Sequence, residues 1–263
     1  MLTDTLKREP TAFATALRRF RSSRRMSQLD LALASDVSSR HVSFLESGRA
    51  QPSRDMVLQL GAALLLPLQA RNALLQTAGF TPAFPASPLD SDSLSPFRAI
   101  LNDMIARHSP YPAMLVDRHW TVLEANASAR ALLDALGGGG GESNIVRMMI
   151  ESQQAAALIA NYAEVLAELQ SRMQMEALEA GDDPVFAELL GALERACARL
   201  PPVSATAPRR PLLPLIINSP AGALSFLSAI AHFGTTEDVT IRDLRLELLF
   251  PADDQTRAAL AAL

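Results

Sequence analysis

The stretch Met26–Leu65, MSQLDLALASDVSSRHVSFLESGRAQPSRDMVLQLGAALL, leaves room for little besides three short helices joined by tight turns. Ser27 is a good N-cap, and Gln28 opens a helix whose Leu29, Leu31, Ala32 and Ala34 suit one buried side. The pattern breaks at Ser35-Asp36-Val37, where Asp36 occupies a position that wants a backbone tolerant of positive φ. Ser38 or Ser39 caps the next helix, which turns Val42 and Leu45 inward and leaves Ser39, Arg40, Ser43 and Phe44 outside. Gly48 is expected to close it in a left-handed conformation, and Ser53 to cap a further helix carrying Val57, Leu60, Gly61 and Leu64 at helical spacing. Two helices joined by so short a turn, the second opening on small polar groups and an arginine, describe a helix-turn-helix.

The flanks complete a small five-helix bundle. Phe13 to Arg25 reads as a first helix with Phe13, Leu17 and Phe20 on one face, and Pro67 starts a fifth with Leu68, Leu74, Leu75 and Phe80 inward and Gly79 at its end. Arg18, Arg19, Arg21, Arg24 and Arg25 cover the other side of the first helix, either as a solvated face or within reach of phosphate. Charge agrees with the second option. The net −4 of the whole chain divides into +5 for residues 1–80, with 11 Lys/Arg against 6 Asp/Glu, and −9 for the rest. A basic head on an acidic body suits a polyanion bound by the head alone.

Domain 1–80 gives way at 81–95 to a linker rich in proline and serine, and 263 residues suffice for a second core over 96–263. There a helix from Pro96 to His108 precedes strands at Ala113–Asp117 and His119–Ala125, with Asp117-Arg118 as their turn. Asn126 caps a helix to Leu136, and Gly137–Gly141 mark a mobile loop. A short helix Asn144–Glu151, one long uninterrupted helix Gln153–Ala180, and a helix from Asp182-Asp183-Pro184 to Leu200 follow. Beyond a proline-rich connection at Pro201–Pro211 come three strands, Leu213–Asn218, Leu224–Phe233 and Val239–Phe250, then a terminal helix from Asp253. The whole is a two-domain α+β chain: an all-α head, then an antiparallel sheet of about five strands with helices packed on one face.

The head resembles the phage-repressor-like (XRE) family of DNA-binding domains over about Ala12 to Ala78. The resemblance is carried by Gln28, Leu31-Ala32, Val37-Ser38-Ser39, Leu45-Glu46-Ser47-Gly48-Arg49 and Pro52-Ser53. It implies base contacts from Ser39, Arg40, Ser43 and Phe44, and phosphate contacts from Gln28, Ser38, Arg49, Arg54 and Arg21. It also implies a pair between Arg21 and Glu46. Asp36 stands in the usual glycine's place, and Phe44 stands where a polar reader is common, so that it either meets a thymine methyl or merely packs. The body resembles the ligand-binding domain of MmyB-like regulators, a PAS-like fold, through Pro112-Ala113 to Val116-Asp117, Trp120-Thr121-Val122-Leu123 with Asn126, Asn144-Ile145-Val146-Arg147, Phe233-Gly234-Thr235 with Asp238-Val239-Thr240, and Phe250-Pro251-Ala252-Asp253. That resemblance implies an apolar pocket and a fatty-acid-like ligand. Trp120, Met148, Met149, Tyr162, Met173, Phe186 and Phe226 are its candidate lining, methionine adapting to irregular shapes, and Arg147 is a candidate partner for a carboxylate head; core packing and a surface arginine are the plain alternatives.

Catalysis finds no constellation. His41, His108, His119 and His232 lie in separate segments, no cysteine cluster accompanies the single Cys197, and no serine sits in a Gly-x-Ser-x-Gly elbow, so neither a metal site nor a cofactor is expected. One cysteine, no signal peptide and no long apolar run point to a cytoplasmic chain without a membrane partner. The expected function is a homodimeric regulator that binds an operator in double-stranded DNA and responds to a small apolar ligand. The alternative is a DNA-tethered platform for protein interaction, with no small-molecule ligand.

Overall fold

The computed structural model describes residues 11–138, 144–180, 183–201, 212–220, 222–234 and 236–261. The lead-in at 1–10, the glycines Gly139–Gly141 and the connection from Pro202 to Pro211 lie outside the described residues. The chain forms two compact units, one holding the described residues up to Ala86 together with the short stretches 178–180 and 237–239, and the other holding the remaining described residues from Ser87 onward.

The first unit is all helical: α1 (Ala12–Ser23), α2 (Gln28–Ala34), α3 (Ser39–Glu46), α4 (Arg54–Ala63) and α5 (Leu68–Thr77). Short polar side chains start most of these helices. Thr11, Ser27, Ser38 and Ser53 each accept a hydrogen bond from a backbone N–H of the first turn, and Asp30 reaches back to the N–H of Ser27 at 2.7 Å to complete a capping box. Phe13, Leu17, Phe20, Leu31, Val42, Leu45, Val57, Leu60, Leu64, Leu74 and Leu75 fuse into one core. Leu29 departs from the expected pattern: it is 57 % exposed, and only Leu31 and Ala32 of α2 are buried, because a helix of seven residues has room to bury one turn. The turn after α2 places Asp36 at φ 49°, and Gly48 after α3 sits at φ 70°.

Glu46, whose side chain is only 3 % exposed, ties α1, α2 and α3 together. Arg21 donates from Nε to Oε1 at 2.6 Å and from Nη2 to Oε2 at 2.9 Å, and Gln28 Nε2 donates to Oε2 at 2.8 Å. Arg21 Nη1 then donates to the carbonyl of Met26 at 2.6 Å, so every nitrogen of the guanidinium has a partner. Burial pushes the Glu46 carboxyl up, yet the hydrogen bonds from Arg21 and Gln28 and the charges of Arg21 and Arg18 outweigh it and hold it below the usual range.

The second unit is a sheet in the order β2-β1-β5-β4-β3, antiparallel throughout: β1 (Ala113–Val116), β2 (Val122–Ala125), β3 (Leu215–Ser219), β4 (Gly222–His232) and β5 (Arg245–Pro251). Its helices are α6 (Ser95–Arg107), α7 (Ala127–Ala135), α8 (Ile145–Glu151), α9 (Gln153–Leu158), α10 (Tyr162–Ala180), α11 (Pro184–Cys197), α12 (Val239–Asp243) and α13 (Asp254–Ala261). Helices cover both faces of the sheet, where one was expected. Leu101 and Ile105 of α6 pack on Ala113, Leu115 and Leu246, while α10 lies across the opposite face and is pinned to it by Glu176, which accepts from Arg245 Nη1 at 2.8 Å. Asn126 caps α7 through Ala129 N–H at 2.9 Å and donates to the carbonyls of Tyr111 and Ile105, joining α6, β1 and α7.

Three departures from the expected element boundaries have a visible physical cause. The expected long helix is broken at Ile159–Asn161, because Ala160 N–H donates to the carbonyl of Ile216 at 2.8 Å and the Asn161 amide bridges Pro214 and Ile216, so the edge strand captures the backbone there. The strand expected from His119 begins at Val122, since the Asp117 carboxylate accepts from the N–H groups of His119 and Thr121, both at 2.8 Å, and closes a turn through Trp120. The strand expected from Val239 begins at Arg245: α12 comes first and buries Val239, ahead of the buried Leu244.

Glu46→Ala removes the carboxylate that three donors share and strands a nearly buried guanidinium, an arrangement whose breakage costs about 3–5 kcal/mol. Urea denaturation followed through the helical signal should show a loss of that order. Because the folded Glu46 carboxyl is depressed, its stabilisation is full above its unfolded pKa and fades as pH falls through the folded value, so the difference between wild type and mutant should shrink in acid.

Candidate DNA-reading face and candidate ligand site

In the first unit the outer side of α3 is set by its N-cap. Ser38 accepts from His41 N–H at 3.2 Å, which fixes the start of the helix and leaves Ser38, Ser39 and Arg40 exposed beyond the core. One turn on, Ser43 and Phe44 are half-buried. The Phe44 ring lies between two guanidinium groups, Arg40 at 5.2 Å and Arg49 at 4.6 Å from its centroid. Arg49 is held there by donating from Nε to Ser47 Oγ at 2.9 Å. The sequence reading placed all three residues on this side but missed the stack. Only the spacing of Arg40 and Phe44 at i and i+4 hinted at it.

The expected phosphate contacts divide. Arg49 and Arg54 are exposed, Arg54 at the first position of α4. Gln28 is half-buried with its amide on Glu46. Arg21, expected among them, is instead consumed by Glu46 and Met26, and its side chain is 13 % exposed, so it is a brace inside the unit. The turn between α2 and α3 has a further brace in Gln59, whose Nε2 donates to the carbonyl of Ser35 at 2.6 Å.

In the second unit, Trp120, Met148, Met149, Met173, Phe186 and Phe226 are all buried and Tyr162 is half-buried. Tyr162 donates its hydroxyl to the carbonyl of Met149, which fastens α10 to α8, and Met148 also lines an open cleft with Gly137 and Ser152. Arg147 points outward and pairs with Glu188 at 2.8 Å.

Trp120 is the focus of the α10 side. It stands at φ 66°, a left-handed conformation that is a genuine outlier for a bulky residue. Its indole N–H donates to Glu176 at 3.1 Å, and Arg172 and Arg245 lie over the ring at 5.5 and 5.3 Å. Beside it, register places Met114 and Ile230 on either side of Glu247, a buried carboxyl of which Oε1 accepts from the Ser228 hydroxyl and Oε2 has no partner among the described residues. Burial pushes the Glu247 carboxyl up, more than the Ser228 hydrogen bond and the charges of Arg172 and Arg245 bring it down. A second polar knot sits at the start of α11, where Asp183 accepts from His119 Nε2 at 2.8 Å and Arg118 at 3.0 Å. Among the described residues no group of three or more His, Cys, Asp or Glu side chains could hold a metal ion, and no helix is long and apolar enough to cross a membrane.

Comparison with known proteins gives each unit a counterpart. Residues 97–263 match the model of the MmyB-like transcription regulator ligand binding domain, and residues 12–74 match a helix-turn-helix domain. No curated protein matches the chain. Among solved structures, one described as an RNA-binding Light-Oxygen-Voltage receptor is similar at 13 % identity and a TM-score of 0.28, over 95 % of this chain and 63 % of that one.

Glu176→Ala removes the shared acceptor of Trp120 and Arg245. A hydrogen bond to a charged group contributes about 1.5–3 kcal/mol, so thermal melting of the second unit should fall correspondingly, with a shift in tryptophan emission as the indole N–H loses its partner.

Proposed function

Since this chain belongs to the family of MmyB-like transcription regulators, we propose that it is a cytoplasmic homodimer that binds an operator in double-stranded DNA through α3 and is biased between arrangements by a small apolar ligand in its second unit. The observation that carries the reading is the exposed Arg40 beside the Phe44 ring on a helix that Ser38 and Glu46 hold at its two ends. Arg40 is long and charged enough to reach a guanine edge bidentately. Ser39 and Ser43 are small enough to let the helix approach the bases, and Phe44 offers an apolar surface to a thymine methyl. Ser38 at the start of α3, the exposed Arg49 and Arg54 beyond its end, and Gln28 at the start of α2 supply phosphate contacts that set register without reading sequence.

Two such heads on a two-fold axis require half-sites about 34 Å apart, one helical turn, or a multiple of it. The ligand then acts only through the difference in its affinity for the DNA-competent and incompetent arrangements. The buried methionines and aromatics of the second unit favour an apolar, fatty-acid-like body for that ligand.

Selection of bound fragments from random DNA by the full chain should return an inverted repeat with that spacing, and sedimentation should give a dimer. Arg40→Ala should weaken the selected site by about 1–3 kcal/mol and relax preference at one base pair in each half-site. A mutant with unaltered preference removes Arg40 from the reading, and asymmetric single sites contradict the dimer.

A further inference from the structure

We propose that the α10 side of the sheet holds a ligand subsite in which the free Oε2 of Glu247 exchanges a hydrogen bond with a neutral hydroxyl on an otherwise apolar ligand. The proposal rests on the ligand-controlled reading of the second unit and specifies the chemistry of the polar anchor.

Glu247 sits on β5, the central strand of the sheet, and is 8 % exposed. A buried acceptor without a partner costs stability, and such groups are rare enough in folded proteins to need a cause. Oε1 is satisfied by Ser228; Oε2 is not. Two cations approach, and both are committed elsewhere: Arg172 to Glu168 at 2.9 Å and Arg245 to Glu176 at 2.8 Å. A ligand carboxylate arriving here would therefore add a second acid beside Glu247, with each nearby guanidinium already paired. Like charges in one site disfavour each other's ionised forms. A hydroxyl meets no such penalty, since it can give a proton to a carboxylate oxygen or accept one from a neutral carboxyl.

Ser228 is exposed although its hydroxyl reaches the buried carboxyl, and Ile230, opposite Glu247 in register, is only half-buried. Met114 and Leu249, both buried, share this face of the sheet with Glu247. The face thus runs from an open serine to a buried, half-satisfied acid across apolar side chains.

Trp120 is the chain's only tryptophan and lies against Arg172 and Arg245, so its emission reports on this face. The full chain is titrated with 1-decanol and, separately, decanoate at neutral pH. Decanol should bind at least about tenfold more tightly, the equivalent of one good hydrogen bond to a buried group. Glu247→Leu should abolish the preference by weakening decanol about tenfold, and should melt at a higher temperature without ligand, because the orphan acceptor is gone. Glu247→Gln, which keeps an acceptor and a donor, should retain decanol binding within about threefold. Folding of both variants is checked by circular dichroism. Decanoate binding as tightly as decanol, or decanol affinity indifferent to Glu247→Leu, overturns the subsite and leaves the ligand-controlled regulator standing. Failure of the wild type to bind either probe overturns both.

Discussion

The geometry of the first unit depends on one carboxylate. Glu46 is the last residue of α3, Arg21 is near the end of α1 and Gln28 is the first residue of α2, and all three meet at the two oxygens of Glu46. A pair so far from solvent is stable only with all its partners present, since a lone buried charge is heavily penalised. The consequence is orientational. Any rotation of α3 about its axis breaks a bidentate contact at its C-terminal end, so the exposed residues at its other end keep a fixed direction relative to α1 and α2. A protein that reads base edges needs that rigidity more than it needs the energy of the pair itself.

The second unit reaches order differently. Its central strand carries Arg245 and Glu247 on the face that α10 covers, and the charges there are shared among Glu176, Arg172 and Glu168. Polar groups inside a sheet–helix interface are tolerable when each is paired. Glu247 is the exception, with one oxygen satisfied and the other left over. The left-handed Trp120, braced by an indole hydrogen bond and two arginines, stands on the same side. Strain and an orphan acceptor lying together distinguish this face from the α6 side, where Leu101, Ile105, Leu115 and Leu246 pack together and the buried Asn126 is hydrogen-bonded through both its amide nitrogen and its amide oxygen.

Local signals were legible in the sequence wherever the chain solves its own problem. The caps at Ser27, Ser38, Ser53 and Asn126, the positive φ at Asp36 and Gly48, and the Arg21–Glu46 pair all follow from residues close to the elements they serve or from a family's spacing. Tertiary demands were not. Gln153–Ala180 carries no glycine or proline to break a helix, and the break comes from β3, which takes the backbone of Ala160 and the amide of Asn161. Alternation from Val239 onward mimics a strand, although its first turn is helical. A charged residue in an alternating strand ordinarily faces solvent, and Glu247 does not. Nothing local announced that α10 would cover it. Arg21 carried two expected roles, a partner for Glu46 and a contact for phosphate, and all of its guanidinium nitrogens are bonded within the unit.

The regulator reading requires that the outer end of α3 and its arginine surround engage the DNA backbone and bases. The most direct measurement is the affinity of the full chain for its selected duplex as a function of salt. On the proposed reading, Arg49 and Arg54 of two copies would neutralise four phosphates, which predicts a linear fall of log affinity with log salt at a slope of about −3.6 or steeper. A flat dependence, or no retention of duplex at low salt, would contradict the claim.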